Sequence, residues 1–449
     1  MNTIVANKAE KALGDRPTTT TSDYKARPNE TMLALRWYGD KDVRVEEVPV
    51  PTITEPADVV VKVTGTTVCG SDLHLYHKEI LQLQKGEILG HEFMGIVDEV
   101  GSEVISIKKG DRVVASFQIA ANRDKPRCGK CQFCKEGLTS MCDRTNSSAL
   151  QEKLYGKPFA GLFGYSHFAG GFAGGQSEFV RVPFGCFNLL KIPDHVPNEK
   201  ALYLSDIVPT SYHATVCADV KKGKSVAVWG LGPVGLLACK WSKLEGARRV
   251  IAIDQIPERL ALAQDMGCDT IDFSKQKDLV SEVYRLEPQG VDCCIDAAAF
   301  RYTKTLLQSA ERLVGLETDS SEIPNETLRA VRKFGTIAIV ADYAAMTNQF
   351  LIGALMEKGV TYRGCGQAPV QEYWHQLLEK IESGEFDPTV VLTHRFSIEE
   401  LSDLYEAFDK KKFGLMKTYV QTRFSPPPST GTPQLSTLSR GDLKPVPAV

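Results

Sequence analysis

Two rhythms of apolar residues run along this chain and divide it. From about residue 31 to 190, short runs such as "MLALRWY", "DVVVKVTG", "FMGIVDEVG", "DRVVAS" and "SEFVRVP" recur between glycine-containing turns. Runs of this kind predict a largely β domain. From about 223 to 365 the rhythm becomes strand, helix, strand: "SVAVWG", "VGLLACKWSKLEG", "RVIAID", then "VDCCIDA" and "GTIAIVA". In the first of these helices Val234, Leu237, Ala238 and Trp241 fall at i, i+3, i+4 and i+7, one apolar face. Such alternation predicts a parallel sheet flanked by helices, so the chain reads as α/β with two unlike halves. Residues 367–424 mix both patterns and could return to either half. Residues 1–30 are polar and aperiodic and are expected to be a flexible arm; 425–449, rich in Pro, Ser, Thr and Gly, are expected to be a disordered tail.

Composition narrows the function classes. The 449 residues suffice for two or three domains with sizeable cores. A formal net charge of -3 gives no reason to expect a nucleic-acid or acidic-membrane partner. No apolar run reaches the ~18 residues of a membrane span. "MNTIVANKAEKALGDRP" lacks the apolar core of a signal peptide, Glu10 and Asp15 argue against a transit peptide, and "KPVPAV" is no retention or peroxisomal signal. The expected location is cytoplasmic, where thiols stay reduced.

That expectation bears on the chemistry of "CGKCQFCKEGLTSMC", which holds Cys128, Cys131, Cys134 and Cys142. Disulfides suit a secreted chain, and a redox pair suits a helix start in a thioredoxin-like context that this Gly- and Lys-rich loop lacks. The spacing favours one tetrahedral zinc closed by four thiolates, which fixes a loop rather than doing chemistry. A second constellation lies upstream: Cys69, Ser71, Asp72 and His74 in "VCGSDLHLYH", and His91 with Glu92 in "GHEFMGIVDEVG". These residues alone leave a catalytic metal and ordinary buried side chains equally open.

"VAVWGLGPVGLLA" carries Gly230, Gly232 and Gly235 as G-x-G-x-x-G between a strand and a helix, the context that makes the pattern informative. The loop, including Pro233 and Val234, is expected to hold a dinucleotide, with its pyrophosphate at the helix N-terminus. Asp254, closing the next strand, would bind the adenosine ribose hydroxyls and repel the extra phosphate of NADP, which selects NAD; Arg259 nearby pulls the other way.

Taken together, "GHEFMGIVDEVGSEV", the four-cysteine loop and "GLGPVG" resemble the zinc-dependent medium-chain alcohol dehydrogenases over roughly residues 31–422. "GLFGYSHFAGGFAGGQSEFVRVPFG", "LSDIVPTSYHA" and "IDQIPERL" are most similar to the glutathione-independent formaldehyde dehydrogenase branch. The resemblance implies a GroES-like β-rich catalytic domain over 31–207, a Rossmann coenzyme domain over 208–366, and a return to the catalytic domain over 367–424. It implies two zinc ions per chain, NAD, a small alcohol or aldehyde substrate and a homodimer or homotetramer. Cys69, His91 and Asp206 would hold a catalytic zinc in a cleft where the nicotinamide also sits, with Glu92 as a neighbour of the metal. Asp206 by itself reads first as an N-cap before the helix "PTSYHA". Ser71 resembles the family's hydroxyl relay for the alcohol proton, His74 its terminal imidazole, and Thr210 the residue packed beside the nicotinamide. The glycine-rich stretch 159–176 resembles a loop that covers NAD in an aldehyde dismutase, so that activity is an alternative, as are an enzyme of specialised metabolism and a non-catalytic member of the fold. "DAAAF" and "VADYA" depart from the branch's usual glycine-containing versions, so formaldehyde itself is not implied.

Overall fold

The structure, a computed structural model, describes residues 25–121, 131–298, 319–343 and 346–438. It consists of two compact units: Thr210–Ala368, and the described residues before and after that segment.

The flanking unit begins with an antiparallel pair, β1 (Ala26–Gly39) and β2 (Asp42–Pro51). β1 starts inside the span expected as an arm. Arg27 is held there by Asp98 at 2.5 Å and Glu99 at 3.2 Å, an ionic anchor that periodicity does not report. Next come β3 (Val59–Thr66), the short helix α1 (Asp72–Tyr76), β4 (Phe93–Val100) and β5 (Arg112–Ala115). β6 (Gln118–Ile119) pairs with β7 (Gly161–Leu162), and β8 (Phe179–Val182) and β9 (Leu189–Lys191) follow. β3 is a nearly unbroken valine run because both of its faces are buried. Val59, Val61 and Val63 pack with Phe93 and Phe163, while Val60 packs with Met32 and Phe179. Helix α2 (Ile207–Cys217) then leads into the other unit.

That unit is built on one parallel sheet of β10 (Ser225–Trp229), β11 (Arg249–Asp254), β12 (Asp269–Asp272), β13 (Val291–Asp296), β14 (Val331–Ile339) and β15 (Thr361–Gly364). The strand order is β12-β11-β10-β13-β14-β15. In order of sequence this is 3-2-1-4-5-6, the doubly wound order whose reversal point, between first and fourth strands, receives a dinucleotide. Helix α3 (Pro233–Leu244) follows β10 and turns Leu237, Ala238 and Trp241 inward.

The chain then returns to the flanking unit with β16 (Leu392–Ser397) and β17 (Lys417–Gln421), which complete the order β16-β17-β3-β4-β5-β9 with β8 also on β3. Part of the segment expected as a disordered tail is ordered. Ser429 and Thr432 bond to the Glu199 carboxylate, Ser436 N–H donates to Arg395 O at 2.8 Å, and Glu199 pairs with buried Arg395. Polar anchoring holds most of this stretch and Leu438 packs against an apolar cluster at its end, which a composition argument misses. No helix among the described residues is long and apolar enough to cross a membrane.

Candidate metal centres and nucleotide loop

β3 ends in a turn that exposes Cys69 in part, and the backbone then winds into α1. His91 and Glu92 immediately precede β4, and Asp206 immediately precedes α2. Three separate segments thus converge: the Sγ, ring nitrogen and carboxylate oxygens of Cys69, His91, Glu92 and Asp206 all lie within 4.8 Å of one another. His91 Nε2 is 3.4 Å from Asp206 Oδ2 and 3.9 Å from Glu92 Oε1. Asp206 therefore sits at the helix-start position and in the cluster as well.

The surroundings hold this cluster rigidly. Asp72, fully buried, accepts the Cys69 N–H at 2.9 Å and the Gln176 amide at 3.2 Å through Oδ2, and its Oδ1 lies 3.2 Å from His91 Nδ1. The last contact is close but poorly aligned, for both atoms lack a hydrogen bond of good geometry. A carboxylate this close behind an imidazole can still fix its tautomer and orientation. Gln176 is fixed in turn by Tyr405, which donates to its Oε1 at 2.8 Å. The glycine-rich stretch 159–176 ends in a backbone ladder, with Gly174, Gly175 and Gln176 N–H donating to Ile88, Gly90 and Leu89 O. It thus braces the segment that carries His91. Phe117 and Tyr165 stand edge-on to the His91 ring at 6.2 and 5.7 Å.

Lys417, on β17, is fully buried and bonded to Glu92 Oε1. Burial lowers its pKa, but the charges of Glu92 and Cys69 outweigh that and raise it. For His91, burial acts downward, while the charge of Asp72 and the contacts with Asp206, Asp72 and Cys69 hold it well above its ordinary value. Burial pushes the Glu92 carboxyl up, against the pull of Lys417. Glu92 Oε2 has no hydrogen-bond partner. A thiol, an imidazole and a carboxylate so placed are a donor set that fits zinc.

Ser71 Oγ lies 3.5 Å from His91 Nε2. His74 is buried rather than at the surface, and its Nδ1 meets Glu79 Oε2 at 2.7 Å. Sequence reasoning missed Asp72 as an orienting group, along with Gln176, Glu79 and Lys417. For Lys417 the one signal was a charged residue inside the apolar run "LMKTYV".

The second cluster is local. Cys131, Cys134 and Cys142 are buried with sulfurs within 4.8 Å of one another; Cys128 lies outside the described residues. Cys131 opens a one-turn helix that contains Cys134, which brings the pair to one side. Ala121 N–H donates to Cys142 Sγ at 3.4 Å and Asp143 N–H to Cys131 Sγ at 3.5 Å. The neighbouring Cys134 thiol, with the Ala121 and Arg144 N–H groups and Thr145, pushes the Cys142 thiol down to about 6, against burial. Thiolate character in a buried set of sulfurs again fits zinc.

In the parallel-sheet unit, Gly230 turns with φ +83° at the end of β10. A Cβ on Gly232 would meet nothing within 4 Å, whereas one on Gly235 would fall 1.9 Å from Gly230 O. The first leaves room for a phosphate at the N-terminus of α3, where Pro233 and Val234 form the first turn; the second is tight backbone packing. Asp254 is buried at the end of β11 and accepts N–H groups from Leu231 at 2.7 Å, Gln255 at 2.7 Å and Ile256 at 3.0 Å. A carboxylate has about four lone-pair sites, so one remains for a ribose hydroxyl. Arg259 Nη1 is 3.9 Å from Asp254 Oδ2, and Thr210 is buried in α2.

Comparison with known proteins agrees with this geometry. Residues 55–194 match the alcohol dehydrogenase GroES-like domain family and residues 233–315 the zinc-binding dehydrogenase family. The chain is 42% identical over 423 residues to a zinc-type alcohol dehydrogenase-like protein of Schizosaccharomyces pombe, covering 93% of this chain and 98% of that one. It is 33% identical over 369 residues to the glutathione-independent formaldehyde dehydrogenase of Pseudomonas aeruginosa, covering 77% and 86%. Among solved structures, alcohol dehydrogenase TADH from Thermus sp. ATN1 superposes with a TM-score of 0.73 at 32% identity, covering 87% of this chain and all of that one. The chain belongs to the zinc-dependent alcohol dehydrogenase family and is an alcohol or aldehyde oxidoreductase.

Proposed function

We propose that the chain transfers hydride between a small primary or secondary alcohol, or an aldehyde hydrate, and NAD, with Cys69, His91 and Asp206 as the ligands of a catalytic zinc. The observation that carries this reading is the buried convergence of a thiol, an imidazole and carboxylates within 4.8 Å, with Cys69 partly exposed. Three protein ligands leave a position for substrate oxygen, and zinc bound there supplies Lewis acidity to that oxygen. The remaining roles belong to the chain. Asp72 orients His91, and Lys417 holds Glu92 as a fixed charge beside the ligands. Ser71 Oγ is placed to accept the alcohol proton, and His74 with Glu79 offers its exit, since the Glu79 side chain is 21% exposed. Phe117 and Tyr165 make an apolar wall suited to small substrates. The glycine loop and the free valence of Asp254 favour NAD. Cys128, Cys131, Cys134 and Cys142 serve as the structural zinc site.

A cytoplasmic location accords with the free described cysteines. Exposed Phe334, Ile352 and Met356 support a second copy as partner, a homodimer or homotetramer, which light scattering would measure. The deciding experiment pairs metal analysis with NADH absorbance on a panel of alcohols and aldehydes. Two zinc ions per chain and NAD-linked turnover that Asp206→Ala abolishes are expected. One zinc or none, or a preference for NADP, overturns the respective part. Aldehyde disproportionation without added NAD would make the chain a dismutase.

A further inference from the structure

The segments "DAAAF" and "VADYA" meet in the parallel-sheet unit. Asp296 closes β13, and Tyr343 lies just past the end of β14. The Tyr343 hydroxyl donates to Asp296 Oδ2 at 2.7 Å, across 47 residues of sequence. Asp296 Oδ1 accepts the Ala298 N–H at 3.1 Å. The Asp296 carbonyl accepts the N–H groups of Val340 and Ala341, both at 2.9 Å. Ala297 N–H donates to the carbonyl of Trp229, the last residue of β10, at 2.9 Å. Asp296 and its neighbour Ala297 thus tie together the ends of β10, β13 and β14. Asp296 is fully buried, and no cation among the described residues pairs with it. A buried carboxylate is costly unless donors satisfy it, so the Tyr343 and Ala298 bonds are what keep it in place.

The strand ends joined here flank the reversal point of the sheet, between β10 and β13. Ala297 and Ala298 pack directly against the glycine loop. A Cβ on Gly230 would fall 2.5 Å from Ala298 Cα and 2.8 Å from Ala297 O, and one on Gly235 would fall 3.5 Å from Ala297 Cβ. There is no slack at that contact, so a shift of Ala298 is passed to the Gly230 turn. The turn in turn aims the backbone N–H groups at the start of α3, and their direction decides how well they meet a phosphate. Burial pushes the Asp296 carboxyl up to about 6, while Tyr343 and the Ala298 N–H hold it down. In neutral solution it is a carboxylate, and the bond from Tyr343 is charge-assisted. Neither residue belongs to the metal clusters or to the glycine loop itself.

We propose that Asp296 and Tyr343 are positioning residues for the dinucleotide: their bond holds Ala297 and Ala298 against Gly230 and so sets the affinity of the glycine loop for NAD. This rests on the reading of that loop as the NAD site. The pair acts through the backbone and touches no reacting atom. Its loss therefore weakens cofactor binding and leaves the alcohol site and the chemical step nearly as they were.

The test uses the zinc-loaded full chain, calorimetric titration with NAD, and initial rates with NAD and alcohol varied in turn. Tyr343→Phe removes one hydroxyl and no volume of consequence. Its Kd and KM for NAD are expected to rise about tenfold, the scale of one hydrogen bond to a charged group, while kcat and the KM for alcohol stay near the parent values. Asp296→Ala should weaken NAD binding at least as much. Asp296→Asn should recover most of the affinity, because its amide oxygen can accept from Ala298 and its NH2 can donate to the Tyr343 oxygen. Adding Tyr343→Phe to Asp296→Ala should cost no further affinity, since the bond is already gone. A parent that does not bind NAD overturns the reading of the loop and this inference with it. A parent that binds NAD, with Tyr343→Phe binding it equally well, overturns this inference alone, even if that variant melts at a lower temperature. So does a KM for alcohol that rises as much as the KM for NAD.

Discussion

The two clusters of metal-type donors are built in opposite ways. The described sulfurs of the loop cluster come from Cys131, Cys134 and Cys142, all within one short stretch, where a helical turn and backbone N–H groups complete the arrangement. The other cluster takes Cys69 from the turn after β3, His91 and Glu92 from the entry to β4, and Asp206 from the start of α2. The described donors of the loop cluster are all buried sulfurs. The distributed cluster mixes sulfur, nitrogen and oxygen, includes a partly exposed cysteine, and leans on Asp72, Gln176 and Lys417. A locally closed set can hold a fold together; a set drawn from distant segments can leave one side open for a reactant.

Cys142→Ser should have the largest effect, and on stability. Structural zinc is worth ~10–16 kcal/mol in small zinc domains; here the rest of the unit supports the loop, so a loss on the order of 5 kcal/mol in chemical denaturation is expected. Turnover per folded, loaded molecule should be nearly unchanged; a large drop would mean that the loop does chemistry.

Asp206→Ala should act on the distributed cluster alone. Lewis-acid stabilisation of several kcal/mol would go, about 1,000-fold in kcat/KM or more, and metal content should fall from two to one per chain. Retention of both metal and rate would return Asp206 to a capping role, and Glu92 would be the next ligand to test.

Lys417→Met comes third. It leaves the Glu92 carboxylate buried without its cation, which should cost about 3–5 kcal/mol in urea denaturation. Adding Glu92→Gln should recover most of that. A simple sum of the two single effects would deny the pairing.

Asp72→Asn should have the smallest effect. It removes a carboxylate beside His91, and such changes typically weaken metal binding by about 10–100-fold. Competition with a chelator should show this loss at the distributed site while the loop metal keeps its affinity. Equal weakening at both would merge the two sites.

Much of this was readable before the structure. The valine-rich runs became strands, and "VGLLACKWSKLEG" became α3 with Leu237, Ala238 and Trp241 buried. What stayed hidden has a common cause. His74 was expected as a terminal relay imidazole, but its burial at 4% exposure and its partner Glu79 were not readable, because burial depends on what packs over a residue. Residues 425–438 read as disordered, yet Ser429 and Thr432 attach to the buried ion pair Glu199–Arg395, whose partners are far apart in sequence. Lys417 gave little warning, because its partner Glu92 lies on another segment.

The sequence by itself determined what local geometry suffices for: strand and helix periods, the strand–glycine loop–helix unit around Gly230, and the cysteine spacing of one metal loop. These depend on backbone dihedrals and contacts a few residues apart, which the order of residues sets directly. The tertiary structure alone decided that Asp206 meets His91 and that Asp72 and Lys417 flank them. Such pairs form only after sheets and helices have packed, and the free energy of that packing is spread over whole units rather than written in any one stretch.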